Sequence, residues 1–357
     1  MLQGKTLVQL AEEIERQKTQ KKDYVVSTGQ MYMTVSQGAE EEKGVPQLSL
    51  PDMAPLAINE IAHDQIGTKL GIPTKYYDRM LAQDPELLAN NVNRWFQREP
   101  VKRMVRTLDG TARAFLSDRY RRIDNSDVAE AVLPIIGQME GARVESCELT
   151  ERRMYLKVLN ERVQTEIVPG DIVTSGLLIT NSEVGMGSVS VMPLVYRLVC
   201  RNGMIAADSG MKKYHAGRIN EEDGNHEIYR SATIQADDRA FIMKLQDIVR
   251  AAAEIVQFQK IVAAMKTGVE TKITGPDVSH VVELTSRSYG LTEHEGKGVL
   301  DYLIRGGDLS LYGMANAVTH QAQQVENYDR STELEMVGWE ILNMGRRQWA
   351  KLNAEAA

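Results

Sequence analysis

Asp109-Gly110 stands between two runs of strand-forming residues, "VKRMVRTL" (101–108) and "TARAFLS" (111–117). A two-residue type I′ turn needs positive φ at both central positions, and Asp-Gly supplies it, so the segment reads as a β-hairpin. The turn sets a register: Leu108 opposite Thr111, Arg106 opposite Arg113, Met104 opposite Phe115, Lys102 opposite Ser117. Side chains alternate between faces. One face then carries Lys102, Met104, Arg106, Leu108, Arg113 and Phe115; the other carries Val105, Ala112, Ala114 and Leu116, with Arg103 at its end. Two directly opposed arginines repel by roughly 0.2–1 kcal/mol, by analogy with other cross-strand pairs. A fold tolerates that when an anion, or a carboxylate from elsewhere in the chain, lies between them. Two readings follow: an exposed face paired with internal Asp or Glu, or a phosphate-binding face with aromatic platforms, the way single-stranded nucleic acid is held.

The cations of this segment stand out because the chain as a whole is acidic, with a formal net charge of -7 over 357 residues. That excludes an all-over polycation and leaves room for a local basic groove. With 43% hydrophobic and 25% charged residues the composition is that of a soluble globular protein. The length suits two subdomains, or one large one with a helical extension. The two cysteines, Cys147 and Cys200, lie in no Cys-x-x-Cys motif and near no histidine at ligand spacing, so a reducing, cytoplasmic setting is expected. No signal peptide or apolar run of about 20 residues appears, and no membrane partner is expected.

Along the chain, "MLQGKTLVQLAEEIERQK" reads as an amphipathic helix with Leu7, Leu10 and Ile14 on one face, and residues 24–35 read as strand. Residues 58–96 turn helical in three pieces, with Pro73 and Pro85 near helix starts, where a missing N–H costs least. A β-rich region follows to about Ile219. In it, a helix capped by Asn125 or Ser126 precedes "RRMYLKVL", where Met154, Leu156 and Val158 alternate with Arg153, Tyr155 and Lys157. Two long strands joined near Gly185-Met186-Gly187 come next. Arg197 and Arg201 share a face of the second, and Asn202-Gly203 ends it. Those two arginines read either as edge cations that guard a sheet edge or as phosphate contacts. "SGMKKYHAGR" (209–218) gathers Lys212, Lys213, Tyr214, His215 and Arg218 in a loop, solvated or closing over a strand of nucleic acid. The remainder is helical: Phe241, Leu245, Ile248, Ala252, Ile255 and Val262 predict one long helix from Asp237 to Met265, with Gly268 as its stop.

Several chemistries lack their signature. No Gly-x-x-x-x-Gly-Lys-Ser/Thr, His-Glu-x-x-His or Gly-x-Ser-x-Gly occurs, the six histidines show no metal spacing, and no acid–base pair stands in a recognisable frame. No catalytic residue, metal or cofactor is implied. "QIGTKLGIPTKYYDRM" (65–80) has the outline of a helix-turn-helix, with Gly71 at the turn and Lys75, Asp78 and Arg79 on the second helix.

Three passages, "LGIPTKYYDRMLAQDPELLANNVNRWF", "VYRLVCRNGM…KYHAG" and "SLYGMANAVTHQAQQVENYDRSTELE", together with "LSDRYRRIDN", resemble the phage/plasmid-like protein family (domain of unknown function 932). The resemblance runs from about residue 55 to 345. It implies no settled activity, only a leaning toward DNA replication, recombination or evasion of defence on mobile elements.

The expected fold is α+β: a twisted antiparallel sheet of hairpins flanked by N-terminal helices and a mostly helical C-terminal part. The expected divisions are 1–98, 99–222 (the β-rich core) and 223–357. The expected function is non-enzymatic binding of single-stranded DNA, with strand annealing by a homo-oligomer, a ring or filament. The residues expected to bind are Lys102, Arg106, Arg113, Phe115, Arg119, Tyr120, Arg121, Arg153, Tyr155, Lys157, Arg197, Arg201, Lys212, Lys213, Tyr214 and Arg218. The alternatives are a duplex-binding repressor or replication initiator using 65–80, and a protein-binding inhibitor of host defence.

Overall fold

The structure is a computed structural model that describes residues 1–36, 44–207, 231–252 and 255–355. The hairpin forms where Asp-Gly predicts it: β5 (Lys102–Leu108) and β6 (Thr111–Ser117) meet at Asp109 (φ 51°) and Gly110 (φ 76°). The register does not continue as expected. Leu108 opposes Thr111 and Thr107 opposes Ala112, but then Arg106 opposes Ala114, Val105 opposes Phe115 and Met104 opposes Leu116. Arg113 is the extra residue of a β-bulge, which leaves it unpaired in the ladder. The bulge takes Arg113 out of direct opposition to Arg106 and sets a small alanine there instead. It also sends Phe115 to the opposite face from Arg106, where Phe115 stacks on Phe96 with ring centroids 5.8 Å apart.

The expected residue 24–35 strand is two strands, β1 (Lys22–Ser27) and β2 (Tyr32–Val35), and they lie at opposite edges of one sheet. With β3 (Pro46–Ser49) and β4 (Leu56–Ile58) its order is β1-β5-β6-β4-β3-β2, antiparallel except for β4 beside β6. Six strands at about 4.8 Å would hold the edges of a flat sheet about 24 Å apart. The five residue steps from Ser27 to Tyr32 reach no more than about 18 Å, so this sheet must curl. Helix α4 (Pro85–Arg98) lies against the curl: Asn93 accepts from Met33 N (2.7 Å) and donates to Met33 O (2.8 Å), and Phe96 is fully buried. The first sheet thus draws strands from both sides of the expected 98/99 division.

The second sheet, order β11-β10-β9-β8-β7, is antiparallel throughout: β7 (Ala142–Leu149), β8 (Met154–Glu166), β9 (Ile172–Asn181), β10 (Ser190–Arg197) and β11 (Asn202–Ile205). Both its faces are covered. Met154, Leu156, Val158 and Leu177 pack with Leu10 of α1 (Leu7–Gln20), Val132 of α5 (Asn125–Gln138) and Phe241 of α6 (Ser231–Ala252). Tyr155, Leu159, Leu178 and Tyr196 pack with Tyr328 of α11 (Tyr328–Leu342). The expected basic-aromatic face of β8 is therefore a buried face.

Asn202-Gly203 opens β11 rather than ending β10. Arg201 sits in the turn between them with φ 52°, so it shares no strand face with Arg197. The helix expected from Asp237 to Met265 is helical on both sides of residues 253–254, which lie outside the described residues, as α6 and α7 (Ile255–Glu270), and Gly268 lies inside α7 rather than stopping it. Helices α7, α8 (Val278–Ser288), α9 (Glu293–Gly306), α10 (Leu311–Gln321), α11 and α12 (Arg346–Glu355) build a core of their own around Tyr312, Met314, Leu334 and Trp339. The class is α+β with a helical C-terminal part, its strands divided between two sheets. Among the described residues no helix is long and apolar enough to cross a membrane.

Candidate functional site

The bulge delivers Arg106 and Arg113 to one buried cluster between the sheets. Arg106 is 1% exposed. Its Nε and Nη2 grip Asp23 (2.8 and 3.2 Å), Nη2 also donates to Asp124 (2.7 Å), and Nη1 donates to the Glu183 carbonyl (2.9 Å). Arg113 Nη2 donates to Glu183 Oε2 (2.5 Å). Lys21 reaches Asp124 (2.7 Å) and Glu183 (3.2 Å), and Asn125 N at the start of α5 donates to Glu183 Oε1 (2.7 Å). Lys21, Arg106 and Arg113 thus meet Asp23, Asp124 and Glu183, and the exposed Arg122 also reaches Asp23 (3.5 Å). Burial raises the Asp124 carboxyl, but Arg106 and Lys21 more than reverse that and hold it below the usual aspartate range. Burial likewise opposes the Arg106 charge, and Asp23 and Asp124 overcome it, leaving that guanidinium harder to deprotonate than usual.

The chain's own carboxylates therefore meet the two arginines, Asp23 and Asp124 on Arg106 and Glu183 on Arg113, while the Glu183 carbonyl also bonds Arg106. Glu183 comes from the end of β9 and locks the first sheet to the second. None of the three carboxylates was legible as a site residue. Asp23, Asp124 and Glu183 are 83, 18 and 77 positions from Arg106, and no local spacing links them. Asp124 precedes α5, its N–H donating to Asp127, one residue before the cap expected at Asn125 or Ser126.

A cleft of about 270 Å³ opens beside this cluster. The tip of the β5–β6 hairpin (Leu108, Asp109, Thr111) faces the β7–β8 turn (Thr150, Arg152, Arg153) across it, with Asn59, Asn125 and Arg113 in its walls. The carboxylates Asp109 and Glu183 also line it, but Asp109 is held by Arg16 (2.9 Å) and Glu183 by Lys21 and Arg113. Glu151 lines it too. Arg113 Nε, buried in its wall, finds no hydrogen-bond partner among the described residues. At the rim, Ser182 is held from two sides: it accepts from Tyr120 Oη (3.1 Å) and its hydroxyl donates to the Arg152 carbonyl (2.8 Å). Arg153 donates to the Met186 carbonyl. Tyr120 and Arg152 thus both hold one loop, 182–188, in which Gly185 (φ 76°) and Gly187 (φ 152°) are exposed; Arg152 and Arg119, the chain neighbour of Tyr120, are exposed as well.

Residues 113–351, about two thirds of the chain, match the family described as Domain of unknown function (DUF932). The chain belongs to that family. No curated protein and no solved structure matches it. The DUF932 match starts at the bulge residue, so it takes in β6, the second sheet and the C-terminal helices; the resembling helical passage 70–96 precedes it.

Within the DUF932 region the other expected binding residues divide by burial. Lys157 is fully buried, donating to Glu335 Oε2 (2.5 Å) and lying 4.8 Å from the Tyr328 ring centroid. Tyr155 Oη donates to Asp329 (2.6 Å). Arg197 Nε donates to Asp171 (2.6 Å) and its guanidinium lies over Tyr312. Arg121 is half-buried over the Phe241 ring. Arg119 and Arg201, and before the match Lys102, are exposed. Lys212, Lys213, Tyr214 and Arg218 lie outside the described residues. The continuous strand face of cations and aromatics does not form, because Arg106, Arg113, Phe115, Tyr155, Lys157 and Arg197 are spent on contacts inside the fold. Of the expected residues, Lys102, Arg119 and Arg201 remain open to solvent, and exposed Arg152 lines the cleft.

The helix-turn-helix outline is present as α2 (Glu60–Lys69) and α3 (Thr74–Gln83), turning at Gly71 (φ 66°). His63 Nδ1 and Tyr77 Oη, 2.8 Å apart, tie the pair, and burial holds that imidazole down at about 4. Lys75, Tyr76, Asp78 and Arg79 of α3 are exposed.

Proposed function

We propose that this chain binds single-stranded DNA, without catalysis, at the rim of the cleft between the two sheets. One observation carries the reading: Arg152, exposed and lining the cleft, and Tyr120, next to exposed Arg119, both hold a loop with exposed glycines, while two of the carboxylates in the cleft are already neutralised by other cations. Guanidinium groups fork onto phosphate oxygens, and exposed glycines let a sugar–phosphate chain come close to the backbone. The space suits one strand at a time. Contacts of this kind hold backbone and leave base edges readable, which is what annealing of complementary strands in replication or recombination requires. A homo-oligomer would turn one short rim per subunit into a continuous track. Association would use outward residues such as Met243 and Val256, because the inner faces of α6 and α7 are buried in the chain's own core.

The test is fluorescence anisotropy with labelled mixed-sequence DNA, single-stranded and duplex, across a salt series, with light scattering on the same samples. Single strands should bind more tightly than duplex, with a log–log salt slope of about -0.7 per neutralised phosphate. Absence of binding at micromolar protein in low salt, or salt-independent binding, contradicts the proposal. Exposed Lys75, Tyr76 and Arg79 on α3 favour a second reading, duplex binding by the α2–α3 pair. Tighter binding of one duplex sequence, abolished by Lys75→Ala with Arg79→Ala, selects it over the first.

A further inference from the structure

Below its rim the cleft carries hydrogen-bond donors that the fold leaves unused. Asn59, the cap of α2, accepts from Ala62 N through Oδ1 (2.9 Å). Asn125 Oδ1 accepts from Asn181 Nδ2 (2.8 Å). Both amides are thereby fixed, both residues line the cleft, and neither Nδ2 has a partner among the described residues. Arg113 supplies a third donor. Its side chain is 10% exposed, its Nη2 is taken by Glu183 Oε2 (2.5 Å), and its Nε has no partner among the described residues. The Nε–H and one Nη–H of a guanidinium are parallel neighbours. An acceptor drawn to Arg113 Nε therefore sits beside the Glu183 carboxylate. A phosphate in that place meets like charge at short range, whereas a neutral carbonyl oxygen or ring nitrogen does not. The walls above these donors are apolar on both sides: half-buried Leu108 at the tip of β5–β6, and half-buried Leu149 at the end of β7 in the hairpin opposite.

Resting on the reading of the rim as a DNA site, we propose that the cleft takes one unstacked nucleobase of the bound strand, its edge toward Asn59, Asn125 and Arg113 and its faces between Leu108 and Leu149. Hydrogen bonds at the edge and apolar side chains on the faces are how a base outside the stack is held. At about 270 Å³ the cleft is just under the roughly 300–1,000 Å³ of sites for drug-sized molecules, so it admits a single base and not a stack of them. The pocket also gives the rim a reason to prefer single strands. A base in a duplex has to be unpaired and unstacked before it can enter, and a single strand offers it directly. Each subunit withdraws one base, and the neighbouring bases stay readable.

The experiment gives the full chain three end-labelled strands of equal length and reads anisotropy. One is of mixed sequence, one consists of abasic tetrahydrofuran residues throughout, and one is abasic except for a single central 2-aminopurine. The strand with one base should bind about tenfold more tightly than the strand with none, as one held base would give. Their salt slopes should be equal, because their phosphates are the same. In the complex the 2-aminopurine should lose most of its quenching by acrylamide. Leu108→Trp, which fills the cleft, should erase the difference between the two strands and restore the quenching. Equal affinity for the two abasic strands, or a bound 2-aminopurine quenched as in the free strand, overturns the pocket; the rim reading then stands as long as the mixed-sequence strand binds. Failure of the mixed-sequence strand to bind overturns the rim reading and the pocket with it. A folded Leu108→Trp chain that still shields the base overturns the pocket too. Should that chain fail to fold, 4-thiothymidine in place of the 2-aminopurine decides by photocrosslinking to wild type: crosslinks within 108–111 or 149–153 support the pocket, and crosslinks only elsewhere overturn it.

Discussion

The two hairpins that face each other across the cleft carry similar cations and send them in opposite directions. In β5–β6 Arg106 and the bulge residue Arg113 both turn inward, onto Asp23, Asp124 and Glu183, and Asp109 at the tip is held by Arg16. In β7–β8 the strand lysine, Lys157, goes inward to Glu335, while Arg152 and Arg153 stay at the turn, half-buried or exposed. What decides each cation's fate is whether the fold brings a carboxylate to it. A buried charge without such a partner is too costly to keep, so inward cations are paired and the exposed ones, such as Lys102, Arg119 and Arg152, remain for a ligand.

The largest effect expected is from the inward arginine of the first hairpin. Arg106→Met strips the half-buried carboxylates Asp23 and Asp124 of their buried partner and should cost about 3–5 kcal/mol in urea unfolding. A loss below about 1 kcal/mol would mean that Lys21 and Arg122 take over, and the cluster would no longer distinguish this hairpin from the other. In the second hairpin Lys157→Met alone and Glu335→Leu alone should each cost about 3–5 kcal/mol, whereas the double variant should return to within about 1–2 kcal/mol of wild type, because both buried charges are gone. A double variant as unstable as the singles would mean that the pair fixes the packing of α11 and not only its own charge.

A smaller effect separates the hairpins by pH. Asp124 is held below its ordinary range by Arg106 and Lys21, so its contribution is complete above the unfolded pKa of about 3.9 and is lost as pH falls through the lower folded value. Stability of wild type should therefore drop on acidification below about pH 4 more steeply than that of Asp124→Asn. Parallel acid profiles would remove Asp124 from the account. The smallest effect belongs to the rim: Arg119→Ala and Arg152→Ala should each leave the melting free energy within about 0.5 kcal/mol of wild type.

The local features of this fold were legible and the distant ones were not. Asp109-Gly110 gave the turn and its φ values, and the alternation in β8 gave the strand. The bulge at Arg113 carries no glycine to mark it, and it moved every side chain beyond it by one register step, so that Phe115 became core. Asp23 pairs with Arg106 because β1 lies beside β5, a neighbour that appears only once the sheet has curled. Sheet two buries both faces, so the alternation of Tyr155 and Lys157 with apolar residues meant two kinds of buried face rather than one wet and one dry. The cleft's rim was partly legible, since Arg119 and Arg153 stood out as cations beside strands. Arg152 did not, and its proximity to Arg119 depends on Ser182, reached from 62 and 30 positions away.

Inward cations serve the fold, and on the proposed function the exposed cations at the turns hold the ligand. The most direct measurement is single-stranded DNA affinity as a function of salt for wild type and for the Arg119→Ala, Arg152→Ala double variant, with melting curves on both. The account predicts a weaker affinity and a log–log salt slope shallower by about 1.4, two phosphates' worth, with the melting temperature unchanged. A double variant that binds with wild-type affinity and slope, or a wild type that does not bind at all, would contradict it.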